Sequence, residues 1–145
     1  DNLSRAVDGV GRLCEYAKNT SVNVVIEPHG RNSQDPHWLI SVMNALNHPR
    51  AGILPDFNNF GKYDRYEAVK KTLPFAHAVC AKALKFDKNG NELNTDFERM
   101  LKIVHNSEYS GVISIEFEGR DMDPIAGSRM TKELILRGLE KARLS

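Results

Sequence analysis

The sequence lacks the features that mark several large classes of protein. Its 20 basic and 19 acidic residues leave a net charge of +1, without the basic excess that nucleic-acid surfaces show. No apolar run approaches the roughly 18 residues of a membrane span, and no signal-peptide pattern opens the chain. We therefore expect no nucleic-acid partner and no membrane association.

Cysteine is also scarce. Cys14 and Cys80 lie far apart and match no zinc-finger spacing, which is typical of reduced thiols and predicts a cytoplasmic protein. Position 1 is Asp rather than Met. We therefore expect a fragment or a processed product, so that a targeting segment could have been lost with the missing part.

What is present is a regular alternation of strand and helix patterns in 145 residues, enough for one domain spanning residues 1–145. Short apolar or β-branched runs predict strands at 22–29, 52–59, 75–84 and 111–119. Apolar residues at helical spacing predict helices at 3–17, 36–46, 64–73, 95–104 and 125–142. Strands that alternate with helices predict an α/β fold, with a parallel sheet and helices packed outside it.

Local signals mark the helix starts. Asp35 before Pro36 predicts the start of the second helix, and Thr95 with Glu98 forms a capping box that predicts the start of the fourth. The polar segment 85–94 predicts a loop after the third strand.

Each predicted strand ends on polar side chains, and three of these ends carry a carboxylate: Glu27, Asp56 and Glu116. In parallel α/β folds the carboxyl ends of the strands form the edge where ligands bind. Carboxylates that converge there repel one another unless a cation lies between them. Oxygen ligands of this kind favour Mg²⁺ or Mn²⁺.

The alternation of side chains along a strand refines this picture. In the last strand Glu116 and Glu118 share one face with Ser114, while the other face should pack on helices through Ile113, Ile115 and Phe117. In the third strand Cys80 and Lys82 share a face that excludes His77. Cys80 and Lys82 are therefore expected beside the carboxylates.

The segments "VNVVIEPHG", "GILPDFNNF", "AVCAKAL" and "GVISIEFEG" resemble the last four strands of the xylose isomerase-like TIM barrels. That superfamily holds sugar and sugar-phosphate isomerases, epimerases and dehydratases, together with endonuclease IV. Within the superfamily, these sequence segments are most similar to a subgroup of sugar phosphate isomerases and epimerases. The resemblance implies the C-terminal half of a TIM barrel, completed by a missing N-terminal half or by a homo-oligomer.

The resemblance also implies a ligand set. In that family, each of the four strands supplies one metal ligand, in the order Glu, Asp, His and Glu. Glu27, Asp56 and Glu116 match the first, second and fourth of these positions. The third position holds Cys80 instead of His, and a further common His position holds Asn59. The implied cofactor is Mn²⁺ or Mg²⁺. Cys80 is either a small residue that fills the interior, which we favour, or a thiolate ligand, which would favour Zn²⁺.

The remaining candidates each have two interpretations. Lys82 either neutralises the acids in place of a metal or polarises a substrate carbonyl. His29, on the face of Glu27, is either an acid/base group or a partner of a loop carbonyl. Glu118 is either a base or a solvated rim residue.

Substrate contacts form a separate set of candidates. Arg31 and Arg120 follow strand ends, where they either meet a substrate phosphate or are simply solvated. Asn59 is placed with them as a substrate-binding residue.

The hypothesis that joins these residues is an isomerase or epimerase that acts on a small sugar or sugar phosphate. A divalent ion would polarise a carbonyl and stabilise an enediolate, while a carboxylate or His29 moves the proton. One alternative is a catalytically inactive sugar-binding or regulatory relative with Lys82 in place of the cation. Another is a DNA-repair endonuclease, which would need more metal-binding histidines and a basic groove.

Overall fold

The computed structural model describes residues 1–144 as five α-helices and four parallel strands, in the order that the sequence predicts. The predicted α/β class is confirmed. None of the helices in this range is long and apolar enough to cross a membrane. The elements are α1 (Asn2–Ala17), β1 (Val24–Ile26), α2 (Pro36–Leu46), β2 (Ala51–Ile53), α3 (Arg65–Thr72), β3 (Ala78–Ala83), α4 (Phe97–His105), β4 (Val112–Phe117) and α5 (Pro124–Arg143).

The four strands lie side by side in chain order. β1 pairs with β2 and β3 pairs with β4, both in parallel. Two isolated parallel bridges, Ile53 with Ala76 and Asp56 with Cys80, join the β2 segment to the β3 segment. All carboxyl ends therefore meet at one edge, and the second bridge sets Asp56 directly beside the third strand.

The first two strands are shorter than the segments that predicted them. β1 and β2 have three residues each, against predicted segments 22–29 and 52–59. Pro28 and Pro55 explain the difference, because proline has no N–H to donate to a ladder. Glu27 consequently lies just beyond β1, and Asp56 lies beyond β2, where it makes an isolated bridge with Cys80.

Each of the five α-helices in residues 1–144 begins after an aspartate whose carboxylate accepts a backbone N–H from the first turn: Asp1, Asp35, Asp64, Asp96 and Asp123. The prediction that Thr95 caps α4 is wrong, because Asp96 accepts from the Arg99 N–H instead. The Thr95 hydroxyl is occupied elsewhere, by the side chains of Asn58 and Arg65.

The core lies between the sheet and the helices. Val79 and Ala81 of β3 are fully buried, as are Met100 and Leu101 of α4. In β4, Ile113 and Phe117 pack against this core as predicted. The third predicted residue, Ile115, is 41% exposed, since β4 is the last strand of the sheet in residues 1–144.

The loop between β3 and α4 is organised around one buried carboxylate, Glu92, which is 7% exposed. Its Oε1 accepts the backbone N–H groups of Leu84 and Lys85, each at 3.2 Å. Its Oε2 accepts those of Asn94 at 2.7 Å and Thr95 at 2.5 Å. Glu92 therefore closes the loop and fixes the position of Thr95 beneath the carboxyl ends of the strands.

Replacing Glu92 by Gln should lower the free energy of unfolding by about 1–3 kcal/mol, the cost of leaving buried hydrogen-bonding groups unsatisfied. Both oxygens of the Glu92 carboxylate accept backbone N–H groups, whereas a glutamine has only one acceptor oxygen. Its NH₂ group would therefore lie against two backbone N–H donors. Urea denaturation measures the change. The matched control is Glu98→Gln, which removes only an exposed ion pair with Lys141 and should cost less than about 1 kcal/mol. Equal losses in the two variants would contradict the role of Glu92.

Candidate metal centre

Four side chains converge near the carboxyl edge of the sheet, one from each strand or from the loop that directly follows it. Ligand atoms of Glu27, Asp56, Cys80 and Glu116 all lie within 4.8 Å of one another. The parallel register produces this convergence: Asp56 lies opposite Cys80, and Glu116 lies two residues beyond Ser114, the partner of Cys80 in β4. We call these four side chains the acidic cluster.

Asp56 is the most buried member of the acidic cluster, with 0% of its surface exposed. Its Oδ1 accepts the Asn58 backbone N–H at 2.7 Å, whereas its Oδ2 has no hydrogen-bond donor among the described residues. Burial raises the pKa of Asp56 to about 6, against the opposing effects of the Asn58 N–H, Cys80 and Lys82. A buried carboxylate oxygen without a donor is a position that a cation would satisfy.

Lys82 supplies positive charge next to the acidic cluster, and its side chain is 2% exposed. Its Nζ lies 3.2 Å from Glu118 Oε2, 3.4 Å from Glu116 Oε1 and 3.9 Å from Asp56 Oδ2. Burial lowers the pKa of Lys82, but these three carboxylates outweigh it and the net pKa is raised. The ammonium group therefore stays charged inside the protein.

Cys80 acts as a hydrogen-bond donor in this arrangement. Its Sγ lies 3.0 Å from Glu116 Oε2, and burial together with Glu116 and Asp56 raises the pKa of the thiol. Burial also raises the pKa of Glu116, but the Cys80 S–H and Lys82 outweigh this and hold it below its ordinary value. The thiol is thus protonated while its acceptor Glu116 is ionised.

Glu27 is tied to the loop after β2. The Asn59 Nδ2 group donates to Glu27 Oε1 at 3.2 Å, so the loops after the first two strands are joined at the cluster. The residue predicted to contact substrate, Asn59, therefore lies directly against a carboxylate of the acidic cluster.

Three other predicted site residues are not joined to the acidic cluster. His29, Arg31 and Arg120 are all exposed. The His29 backbone N–H donates to Ser33 Oγ at 2.9 Å. No hydrogen bond or ion pair within residues 1–144 connects any of these three side chains to the cluster.

The sequence analysis missed a group of supporting residues, Asn58, Arg65 and Thr95. Asn58 bonds both to Asp56, through its backbone N–H, and to the Lys82 carbonyl oxygen, through Nδ2 at 2.9 Å. One signal was available: Arg65 is the first residue of α3, where the helix dipole disfavours a cation. A basic residue there indicates a partner outside the helix.

The residues present fit a divalent cation. Three carboxylates supply hard oxygen ligands of the kind that Mg²⁺ and Mn²⁺ prefer, and the free Asp56 Oδ2 supplies an unused acceptor. The thiol of Cys80 is the one soft donor in the set.

Comparison with known proteins gives the family. The family model described as xylose isomerase-like TIM barrel matches residues 1–140, and no curated protein matches the chain. An L-ribulose 3-epimerase structure superposes with a TM-score of 0.81 at 16% identity, over 97% of this chain and 55% of that one. A xylose isomerase-like TIM barrel protein from Mycobacterium smegmatis in complex with magnesium gives 0.76 at 18% identity, over 97% and 51%. A D-allulose 3-epimerase from Methylomonas sp. gives 0.74 at 15% identity, over 97% and 56%.

The chain spans about half the length of each of these structures. Likeness at such low identity establishes a shared fold, and the four strand–helix units correspond to half of a barrel. The resemblance read from the strand segments is thereby confirmed. Because the family match covers nearly all of it, the chain belongs to the xylose isomerase-like TIM barrel family, of which it forms a half barrel.

Proposed function

We propose that this half barrel carries part of the active site of a sugar or sugar-phosphate isomerase or epimerase that uses Mn²⁺ or Mg²⁺. The observation that carries the proposal is the convergence of Glu27, Asp56 and Glu116 around a buried, donor-free oxygen of Asp56. Two similar structures are sugar 3-epimerases and a third holds magnesium, which supports the same chemistry here.

The three carboxylates would hold the cation. When bound, it would polarise a ketose carbonyl and stabilise an enediolate. Glu118 is the group that we assign to proton transfer, because its side chain is half exposed while its Oε2 lies 3.2 Å from the Lys82 ammonium. We assign to Lys82 the donation of a hydrogen bond to the oxygen on which negative charge would develop.

Asn59 and three exposed residues complete the assignment. His29 is the second candidate for moving a proton, since it is exposed and follows Glu27 by two residues. Asn59 is held against Glu27 and can present its remaining amide groups to a sugar hydroxyl. Arg31 and Arg120 are exposed beyond the strand ends, where a phosphorylated substrate would meet them.

One observation favours a second candidate function. Lys82 already lies within 4 Å of three carboxylates, so an ammonium can neutralise part of the site without any metal. In that case the protein binds a sugar through the same acidic groups but lacks the cation that isomerisation requires. Cys80, in place of the family's histidine ligand, is consistent with this alternative.

Cation binding separates the two functions. The protein should bind one Mn²⁺ per chain, and Asp56→Asn should weaken binding by more than about 100-fold, beyond the 10–100-fold typical of groups that only orient a ligand. Calorimetric titration or the electron paramagnetic resonance of free Mn²⁺ measures the affinity. The control is Asp87→Asn in the loop after β3, whose carboxylate accepts only from Asn89 and Asn91 and should leave Mn²⁺ affinity unchanged. Wild-type protein that binds no Mn²⁺ would overturn the proposed cation site.

Proton exchange tests the reaction itself. In D₂O the Mn²⁺-loaded protein should incorporate deuterium next to the carbonyl of its ketose, which proton NMR over a panel of ketoses detects. Glu118→Gln should slow the exchange by about 10²–10⁴-fold, the usual contribution of a positioned acid/base group. Glu108→Gln, an exposed residue before β4 at the opposite edge of the sheet, should not. A ketose that binds without any exchange would establish the binding function instead.

A further inference from the structure

We infer that Arg65 is a positioning residue for the proposed cation site, acting through Asn58, and this inference rests on the proposed function. Arg65 lies on α3, outside the strand ends that carry the acidic cluster. Its guanidinium nevertheless reaches back to the loop after β2. Arg65 is the outermost residue of a series of hydrogen bonds that continues through Asn58 to Asp56.

The guanidinium has an unusual set of partners. Its Nη1 donates to Asn58 Oδ1 and to Thr95 Oγ1, the latter at 2.6 Å. Within residues 1–144 no carboxylate lies within ion-pair distance of it. Arg65 also occupies the first position of α3, where the helix dipole disfavours a cation. Helix stability therefore does not account for an arginine here, whereas its contacts with Asn58 and Thr95 do.

Arg65 and Thr95 together fix the orientation of the Asn58 amide. Asn58 Oδ1 accepts from Arg65 and lies 3.1 Å from the Thr95 hydroxyl. A flipped amide would set its NH₂ group against the guanidinium N–H, donor against donor. The observed orientation consequently directs Nδ2 to the Lys82 carbonyl oxygen at 2.9 Å.

Asn58 in turn connects the two charged groups that face each other in the site. Its backbone N–H holds Asp56 Oδ1 at 2.7 Å, and its side chain holds the backbone of Lys82. With Oδ1 occupied, Oδ2 is the Asp56 oxygen left free of hydrogen-bond donors, 3.9 Å from the Lys82 ammonium. Arg65 thus holds the Asn58 side chain against the backbone of Lys82, and it adds to the backbone hydrogen bonds between Pro55, Phe57 and Cys80 that already join the loop after β2 to β3.

The position of Thr95 is set independently. Its backbone N–H donates to Glu92 Oε2, and its side chain is almost fully buried. Arg65 therefore binds to a fixed point on the loop before α4, rather than to a mobile surface group. A long side chain held at such an anchor can restrain Asn58 without touching the acidic cluster.

The test compares Arg65→Met, which keeps the length of the side chain and removes its donors, with Arg137→Met. Arg137 is the matched control because its guanidinium also makes two hydrogen bonds to a loop, to Gly90 O and Asn91 Oδ1, far from Asp56 in the chain. Mn²⁺ affinity should fall about 10–100-fold in Arg65→Met and less than about 3-fold in Arg137→Met. Urea denaturation of both variants separates this effect from a general loss of stability.

Two further variants distinguish positioning from a merely structural role. Asn58→Ala should weaken Mn²⁺ binding as Arg65→Met does, and the double variant should be no weaker than either single one, because both remove the same link. Arg65→Lys, which retains one donor group, should recover part of the affinity. Additive losses, or wild-type Mn²⁺ affinity in Arg65→Met, would overturn the inference.

A metal-free measurement keeps the inference separate from the proposed function. In the wild-type protein the two Asn58 Nδ2 protons should give distinct, slowly exchanging NMR signals, since one is bonded to the Lys82 carbonyl. In Arg65→Met they should exchange with water at least about tenfold faster. If the wild-type protein binds no Mn²⁺ but this change occurs, the cation site fails and only the orientation of Asn58 by Arg65 stands. Unchanged Asn58 signals would reject that role whatever the metal result.

Discussion

Electrostatic repulsion at the carboxyl edge of the sheet is the constraint from which the rest of this site follows. Two unit charges 4 Å apart interact by about 4 kcal/mol at an effective dielectric constant near 20. Three carboxylates of the acidic cluster meet at such distances, and one ammonium, on Lys82, faces them. Burial is the main reason that the pKa of Asp56 is raised, and the nearby Glu116 carboxylate raises it further. A cation or a proton at Asp56 would lower the cost of burying this carboxylate.

The fold tolerates this arrangement because neutral groups hold the charged ones in place. Asn59 fixes Glu27, the Cys80 thiol fixes Glu116, and an Asn58 N–H fixes one oxygen of Asp56. These bonds orient the carboxylates without neutralising them. The hydrogen bonds therefore fix the geometry of the carboxylates, while their negative charge remains available to a ligand.

The acidic cluster was predictable from the sequence because two short-range rules apply to it. Strand ends meet at one edge in a parallel sheet, and side chains alternate along a strand, which set Cys80 and Lys82 on the side of Glu116. The bounds of β1 and β2 were less predictable, since prolines stopped both ladders early. Ile115 was expected in the core but lies on the last strand, where neighbouring elements decide its exposure.

The supporting residues could not be predicted in the same way. The Thr95–Glu98 pair matches a capping box, yet the hydroxyl of Thr95 bonds to residues some 30 positions away. The periodicity of a helix or strand does not predict which groups the guanidinium of a long arginine side chain will contact. Such contacts depend on how loops from different strand–helix units meet, which only the assembled fold determines.

The protonation and hydrogen bond of Cys80 determine which kind of cation the acidic cluster can bind. Its thiol is protonated and donates to Glu116, so ligation by sulfur would require the proton to leave and that hydrogen bond to break. Oxygen ligation by Glu27, Asp56 and Glu116 requires neither, and it uses the Asp56 oxygen that has no donor. Hard cations such as Mg²⁺ and Mn²⁺ therefore fit the site as it stands, with Cys80 holding Glu116 in place rather than binding the metal. A thiophilic ion such as Zn²⁺ would first have to rearrange the contact between β3 and β4.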